Sequence, residues 1–65
     1  MSEWIASLWL GREVLVMHAD GTATSGRMTH VNSRRVYVAD RADPPRVQPV
    51  VLADIADISA PLARR

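Results

Sequence analysis

The residues best suited to bind a ligand lie around one predicted turn in the middle of the chain. Arg34 and Arg35 are adjacent, and His30 and Asn32 precede them by a few positions. Guanidinium groups form bidentate hydrogen bonds with phosphate oxygens, and amide side chains can bond to base edges. This cluster therefore indicates a candidate nucleic-acid site.

A nucleic-acid site at this turn would need further residues, because neighbouring arginines on a tight turn point to different sides. Arg27 or Arg12 would have to add a cation on the same face, and Tyr37 could add a stacking surface if its ring faces outward. The opposing interpretation is a solvated turn whose charges protect a sheet edge from aggregation. The eight basic and seven acidic residues give a net charge of +1. So small an excess attracts a polyanion weakly, and we expect weak binding.

Two other kinds of chemistry have less support. A zinc site needs three or four converging ligands, whereas His18, Asp20 and His30 are scattered and the chain has no Cys. Asp54 and Asp57 form a carboxylate pair, but a domain of this size has little room for a cleft that excludes water. Asp54 is better explained as the cap of a 3₁₀ turn. The sequence predicts no metal, no cofactor and no enzymatic activity.

The composition argues against reading the arginines as a phosphate-binding signature. All eight basic residues are Arg and none is Lys, and the chain also has nine Ala and eight Val. This pattern is typical of a high-GC genome, bacterial or phage. The abundance of Arg then reflects coding bias rather than selection for its chemistry.

The length limits the stability that the domain can reach alone. Sixty-five residues make one domain, and a core of this size typically leaves about 3–5 kcal/mol of stability. The lack of Cys removes disulfides as a reinforcement. Self-association is the remaining way to stabilise the fold, so we expect a homo-oligomer.

Targeting signals are missing from the sequence. The longest apolar stretches span about five residues, too few for a transmembrane helix. The first residues contain no basic region followed by a hydrophobic segment, as a signal peptide would. We expect a cytoplasmic protein that does not bind a membrane.

Residues 2–10 are predicted to form a short helix. Ser2 is a suitable N-cap, and Gly11 is placed to end the segment. Three apolar residues at helical spacing should dock on the core: Ile5, Leu8 and Trp9. Trp4 lies at the margin of this stripe, so it is our candidate for a contact with a second chain.

From residue 12 the pattern changes to strands rich in Val. Strands are predicted over 13–19, 22–31, 34–40, 47–52 and the end of 53–59. Asp20-Gly21 is a strong hairpin signal and predicts a type I′ turn. Gly26 predicts a sharp bend within the second strand, and Pro49 suits an edge strand.

The order of elements predicts a mainly β fold in a single domain. A helix, three meandering strands, a Pro-containing loop over 41–46 and two short strands follow one another, with a 3₁₀ turn before the last strand. Five short strands are too few for a sandwich and should curl into a closed or nearly closed barrel over about 12–59. Residues 60–65 should form a frayed tail.

The sequence resembles the Sm-like small β-barrels and their Src-homology relatives. The resemblance rests on Leu10-Gly11-Arg12-Glu13-Val14, Asp20-Gly21, Gly26-Arg27-Met28 and Val36-Tyr37-Val38. It implies a helix that caps a bent five-stranded sheet, with a 3₁₀ turn between the fourth and fifth strands. Sm-like proteins typically form rings and bind RNA.

The residues of the family's RNA site are not matched. Asn32 stands where the family has Asp, Arg35 falls at the stacking position, and Val36 replaces the Asn that reads a base. The Arg-Gly pair expected near the fifth strand is absent from residues 54–58. The resemblance therefore extends to the scaffold but not to the RNA pocket.

We interpret the chain as a non-enzymatic interaction or assembly module that self-associates through sheet edges. Trp4 and Tyr37 are its candidate contacts with a second chain, either another copy or another protein. The alternative is an Sm-like RNA- or DNA-binding protein. Its candidate residues are Arg27, His30, Asn32, Arg34, Arg35 and Tyr37.

Overall fold

The computed structural model describes residues 1–61, and its five strands form one antiparallel sheet. The elements are α1 (Glu3–Ser7), β1 (Glu13–His18), β2 (Ala23–Val31), β3 (Arg35–Ala39), β4 (Val47–Val51), a 3₁₀ turn (Leu52–Asp54) and β5 (Ile55–Ser59). The mainly β architecture with a short N-terminal helix and a 3₁₀ turn before the last strand is confirmed. Most of the predicted tail, residues 62–65, lies outside the described residues.

The sheet is not closed into a barrel, so the prediction of closure is wrong. The strand order is β4-β3-β2-β1-β5, which leaves β4 and β5 at opposite edges. A 3₁₀ turn of three residues joins these edges without a shared ladder. The Met1 side chain packs against the core, and the Met1 amino group donates to the Leu52 carbonyl oxygen at 3.1 Å. The N-terminal residue thus packs beside the 3₁₀ turn that connects β4 and β5.

Alternation along the strands places the apolar side chains on one face of the sheet. Val14 and Val16 of β1 and Val36 and Val38 of β3 are buried there, while their neighbours in each strand are not. Ten of the described residues form the core: Ala6, Val14, Val16, Met28, Val36, Val38, Val50, Leu52, Ile55 and Ile58. Ile55 and Ile58, at the start and near the end of β5, are both buried in this core.

Helix α1 is shorter than expected and docks through a different face. Its N-cap is Ser2, whose hydroxyl accepts from the Ile5 amide at 3.2 Å, but it ends at Ser7. The buried helical residue is Ala6, whose small side chain lets the helix backbone approach the sheet closely. Ile5 and Leu8 are exposed, so they do not form the docking stripe, whereas Trp9 packs against the core.

The first hairpin turn lies where Asp20-Gly21 predicts it but is not type I′. Only Gly21 has a positive φ, +92°, and its amide donates to the His18 carbonyl oxygen at 3.0 Å. This is a three-residue connection in which a turn is followed by a glycine bulge. The Asp20 carboxylate accepts from the Thr22 amide at 3.0 Å, which favours this conformation over the mirror-image turn.

At Gly26 the backbone of β2 lies close to the backbone of its neighbour β3. Its φ is +152°, and a Cβ at this position would collide with the Ala39 carbonyl oxygen and lie 2.9 Å from Val38 Cγ1. A second irregularity follows between Met28 and His30, where the register with β3 shifts. Both features bend β2, as bulges and strand glycines do in strongly curved sheets.

Helix α1, the one α-helix among residues 1–61, is too short to cross a membrane.

We expect Gly26→Ala to destabilise the fold more than Gly21→Ala. Both positions have positive φ, but the space around Gly21 is open whereas a Cβ at Gly26 meets backbone. The collision should make Gly26→Ala less stable than Gly21→Ala by about 1–3 kcal/mol. Urea denaturation of the two variants and the wild type measures it. Equal stabilities of the two variants would contradict the close approach of β2 and β3.

Candidate functional site

The β2–β3 turn holds the arginine pair through the side chain of Asn32. The Asn32 side-chain oxygen accepts from the Arg34 amide at 2.9 Å and from the Arg35 amide at 2.8 Å. The backbone N–H of Asn32 donates to the Arg35 carbonyl oxygen at 2.9 Å. Asn32 is therefore a turn-forming residue, because its oxygen is already bonded to backbone, while Arg34 and Arg35 are exposed.

His30 and Tyr37 come together on the outer face of the sheet. They are cross-strand partners, and their rings pack with centroids 5.7 Å apart at an angle of 50°. Tyr37 is also opposite Pro49 on β4. A row of three rings thus crosses the outer face from β2 to the β4 edge, and we call Pro49, Tyr37 and His30 the ring row.

Arg27 lies away from the arginine pair and has an acidic partner. It is opposite Ala39, four residues along β3 from Arg35, which corresponds to about 13 Å. Its Nε is 3.8 Å from Glu13 Oε2, and the Arg41 Nε donates to Glu13 Oε1 at 3.2 Å. Glu13 thus offsets two cations, and Arg27 does not join the predicted nucleic-acid cluster.

A cleft of about 530 Å³ lies beside Glu13 and contains charges of both signs. Asp40 borders it and accepts two backbone hydrogen bonds, from the Arg46 amide at 2.9 Å and the Ala42 amide at 3.0 Å. These bonds, with the one from Arg46 dominant, hold the Asp40 pKa below its ordinary value of 3.8. Asp40 closes the 41–46 loop, and the cleft has no strong excess of charge for binding an ion.

The carboxylates and histidines considered for other chemistry are held in local contacts. His18 Nε2 is 2.7 Å from the Thr24 hydroxyl, and hydrogen bonds from Thr22 lower the Asp20 pKa. Within residues 1–61, no three His, Asp or Glu side chains are placed to hold a metal ion. The predicted cap is wrong, because Asp54 makes no side-chain capping bond and the residue before the 3₁₀ turn is Val51.

Exposed apolar side chains on β4 are a feature that the sequence analysis missed. Val47 is 55% exposed and Val51 is 43% exposed, and Pro49 between them is exposed too. Large apolar side chains in a row on an exposed edge strand mark an interaction site. The signal was present in the sequence, because Val47, Pro49 and Val51 alternate along the segment and so share the face opposite the buried Val50.

The free edge of β4 has a defined set of backbone donors. The Leu52 amide donates to the Arg34 carbonyl oxygen at 2.8 Å, and the Asp40 amide donates to the Arg46 carbonyl oxygen at 2.9 Å. Because hydrogen-bonded pairs alternate along an antiparallel ladder, the backbone groups of Val47, Pro49 and Val51 point away from β3. Because Pro49 has no N–H, the free edge offers two backbone donors, the N–H groups of Val47 and Val51, one on each side of Pro49.

The free edge of β5 has no such gap. The Met28 amide donates to the Arg12 carbonyl oxygen at 3.0 Å, which fixes the alternation along β1. It follows that Asp57 and Ser59, opposite Met17 and Leu15, bond to β1. Ile58, opposite Val16, then directs its backbone groups to the free edge, and Ala56 lies at the register shift between β1 and β5.

No protein-family model, curated protein or solved structure matches this chain. The assignment of a function therefore depends on the chemistry of the surfaces described above.

We expect the stability to fall as the pH is lowered from about 5 to about 2, and Asp40→Asn to reduce this dependence. A carboxyl whose folded-state pKa lies below the unfolded value stabilises the fold above the unfolded pKa, and this contribution is lost as the pH falls through the folded pKa. Urea denaturation at several pH values measures the effect. Asp43→Asn is the control, because Asp43 lies in the same loop without making these bonds. An unchanged pH dependence in Asp40→Asn would contradict the role assigned to Asp40.

Proposed function

We propose that this chain is a non-enzymatic interaction module that self-associates through the free edges of its sheet. The observation that carries the proposal is the β4 edge, where Val47 and Val51 are exposed and their N–H groups point away from the sheet. An exposed edge of this kind adds a strand from another chain readily. The partner proposed here is a second copy.

The size of the core supports self-association. Its ten residues include five Val and one Ala, so few large side chains contribute. Hydrophobic stabilisation scales with buried apolar area, about 25 cal/mol per Å². Covering the β4 valines in an assembly would add to this area. The stability of each copy would then depend on protomer concentration.

Backbone chemistry favours pairing β4 of one copy with β5 of another. Two β4 edges centred on each other would place Pro49 against the second copy's Pro49 and lose both central hydrogen bonds. The β5 edge presents the N–H of Ile58, and no residue of β5 is proline. A β4–β5 contact is head-to-tail, so every copy uses both edges and the assembly closes into a ring if the rotation permits. The resemblance to ring-forming Sm-like proteins agrees with this arrangement.

Tyr37 would contribute to this contact from the outer face. It is half-buried, and its ring lies one strand in from the β4 edge beside Pro49. A strand added to β4 would bring side chains from the second copy next to this ring row. Aromatic side chains at such positions supply much of the energy of an interface.

Val51→Pro should weaken self-association without unfolding the chain. Val51 has φ −71°, which proline adopts, and its N–H points away from β3, so the change removes an edge donor and no ladder bond. One lost hydrogen bond corresponds to about a three- to tenfold weaker association per contact. Pro49→Ala adds a donor and should tighten association.

Sedimentation velocity over a range of micromolar concentrations measures both effects. Val51→Ala is the matched control, because it also removes the branched side chain of Val51 but keeps the backbone N–H. A wild-type chain that stays monomeric, with a Tm that does not change on dilution, would refute edge-mediated assembly.

The second candidate is nucleic-acid binding, which the exposed Arg34 and Arg35 favour. Three observations weaken it. The Asn32 oxygen is bonded to backbone, Val36 is fully buried, and Arg27 is paired with Glu13. Two phosphate contacts remain, which give a single-strand salt slope near −1.4 and about a sevenfold loss of affinity between 50 and 200 mM salt. We therefore rank this function below self-association.

We expect no oligonucleotide to bind more tightly than about micromolar at 150 mM salt, the usual range of non-specific binding. Fluorescence anisotropy with labelled single-stranded RNA and DNA of several sequences tests this. The double variant Arg34→Ala/Arg35→Ala should reduce the residual binding, and Glu13→Gln should increase it by releasing Arg27. Submicromolar, sequence-selective binding that is lost in the double variant would place nucleic-acid recognition first.

A further inference from the structure

Two exposed cations lie beside the end of β4. Arg35 is opposite Val51, the last residue of β4, and the Arg34 carbonyl oxygen accepts from the Leu52 amide at 2.8 Å. Both arginines are exposed, and the ion pairs within residues 1–61 are made by Glu13 with other arginines. The β4 edge therefore carries two cations outside any ion pair of the described chain.

The opposite edge of the sheet is acidic. Asp57 lies in β5 and Asp54 ends the 3₁₀ turn before it, and both are exposed. The Asp54 carbonyl oxygen accepts from the Ala19 amide at 2.7 Å, and Asp54 and Asp20 line the same small cavity. The β1–β2 turn thus adds a third carboxylate beside β5. Residues 52–59 contain no Lys or Arg, so the β5 edge is negative.

We propose that these opposite charges select the partner edge, with Arg34 and Arg35 of one copy pairing with Asp54 and Asp57 of the next copy. This inference rests on the edge-mediated assembly proposed above and adds the residues that direct it. Charge complementarity across an interface favours the correct partner, and like charges disfavour a wrong one. Two β4 edges would bring four arginines together, and two β5 edges would bring carboxylates together. Attraction is left to the unlike edges.

The dimensions of a sheet permit this contact. Arg35 lies on the outer face, because the neighbouring Val36 is buried. A strand added to β4 would lie two strand spacings from β3, about 10 Å, which the long Arg side chain and an Asp side chain span together. The attraction also does not depend on one register, because charges act over about 10 Å at 0.1 M salt.

The charges predict that salt weakens the assembly. Screening shortens the range of the attraction to a few ångströms at high salt, whereas burial of the β4 valines is not weakened. Association of the wild-type chain should therefore fall by about three- to tenfold between 50 and 500 mM NaCl. Sedimentation velocity measures this change. Association that is equal or tighter at 500 mM NaCl would refute the contribution of charge.

Reversal of charge at one edge provides a direct test. The acidic variant, Arg34→Glu/Arg35→Glu, has carboxylates at both edges, and the basic variant, Asp54→Arg/Asp57→Arg, has cations at both. Each alone should associate at least tenfold more weakly than the wild type, because like charges meet at every contact. In an equimolar mixture, copies that alternate join opposite charges at every contact, so association should recover. Recovery also shows that both variants are folded.

A third variant separates the position of the charges from the net charge. Glu3→Arg/Asp43→Arg reverses two exposed carboxylates, as the basic variant does, but in α1 and in the 41–46 loop. Alone, it should associate like the wild type. Mixed with the acidic variant, it should give smaller assemblies than the basic variant gives, because each acidic copy then accepts a partner at one edge.

The outcomes distinguish this inference from the proposal on which it rests. Reversed-charge variants that associate like the wild type, or a mixture that does not recover, would refute the selection by charge. A wild-type assembly that is weakened by Val51→Pro would still support pairing of the edges. A wild-type chain that stays monomeric at every salt concentration would refute both.

Discussion

The close approach of β2 to β3 at Gly26 is the constraint on which the other features depend. The backbone of Gly26 lies where a side chain would collide with the Ala39 carbonyl group, so β2 can bend over its neighbour only with glycine here. The bend directs the Met28 side chain into the core, where it is fully buried. The backbone of Met28 in turn bonds to Gly11 and Arg12, which fixes the point at which the chain leaves the helical segment. The curvature of the sheet and the position of α1 are thus set by the same strand.

Local signals predicted the local structure well. Ser2 caps the helix, the first hairpin turns at Asp20-Gly21, and Gly26 lies at a bend, because each of these depends on residues close in sequence. The features that were mispredicted depend on distant contacts. Closure of the sheet requires β4 to meet β5, and the choice of helix face was decided by how closely Ala6 lets the helix approach the sheet. The helical spacing of the large apolar residues predicted that Ile5 and Leu8 would be buried. It gave no weight to Ala6, because the Ala side chain is small.

At the candidate site, too, the features that depend on neighbouring residues were predicted and those that depend on distant contacts were not. The sequence identified the arginine pair and the nearby aromatic residues, and the fold brings His30 and Tyr37 into contact. The sequence could not show that the Asn32 side chain would be bonded to the turn backbone, because an Asn side chain can stabilise a turn or bind a ligand. The pairing of Glu13 with Arg27 and Arg41 was equally hidden, because Arg41 is 28 residues away in sequence. That pairing removes a cation on which the nucleic-acid interpretation depended.

The two free edges of the sheet restrict the symmetry that an edge-to-edge assembly would have. The sheet edges are unlike each other, since Pro49 interrupts the donors of β4 and no proline interrupts those of β5. Unlike edges favour head-to-tail contacts, which are not self-limiting unless they close on themselves. With only ten core residues among those the structure describes, the domain would gain from covering the β4 valines, and Pro49 would favour a contact of β4 with β5 over a contact of two β4 edges.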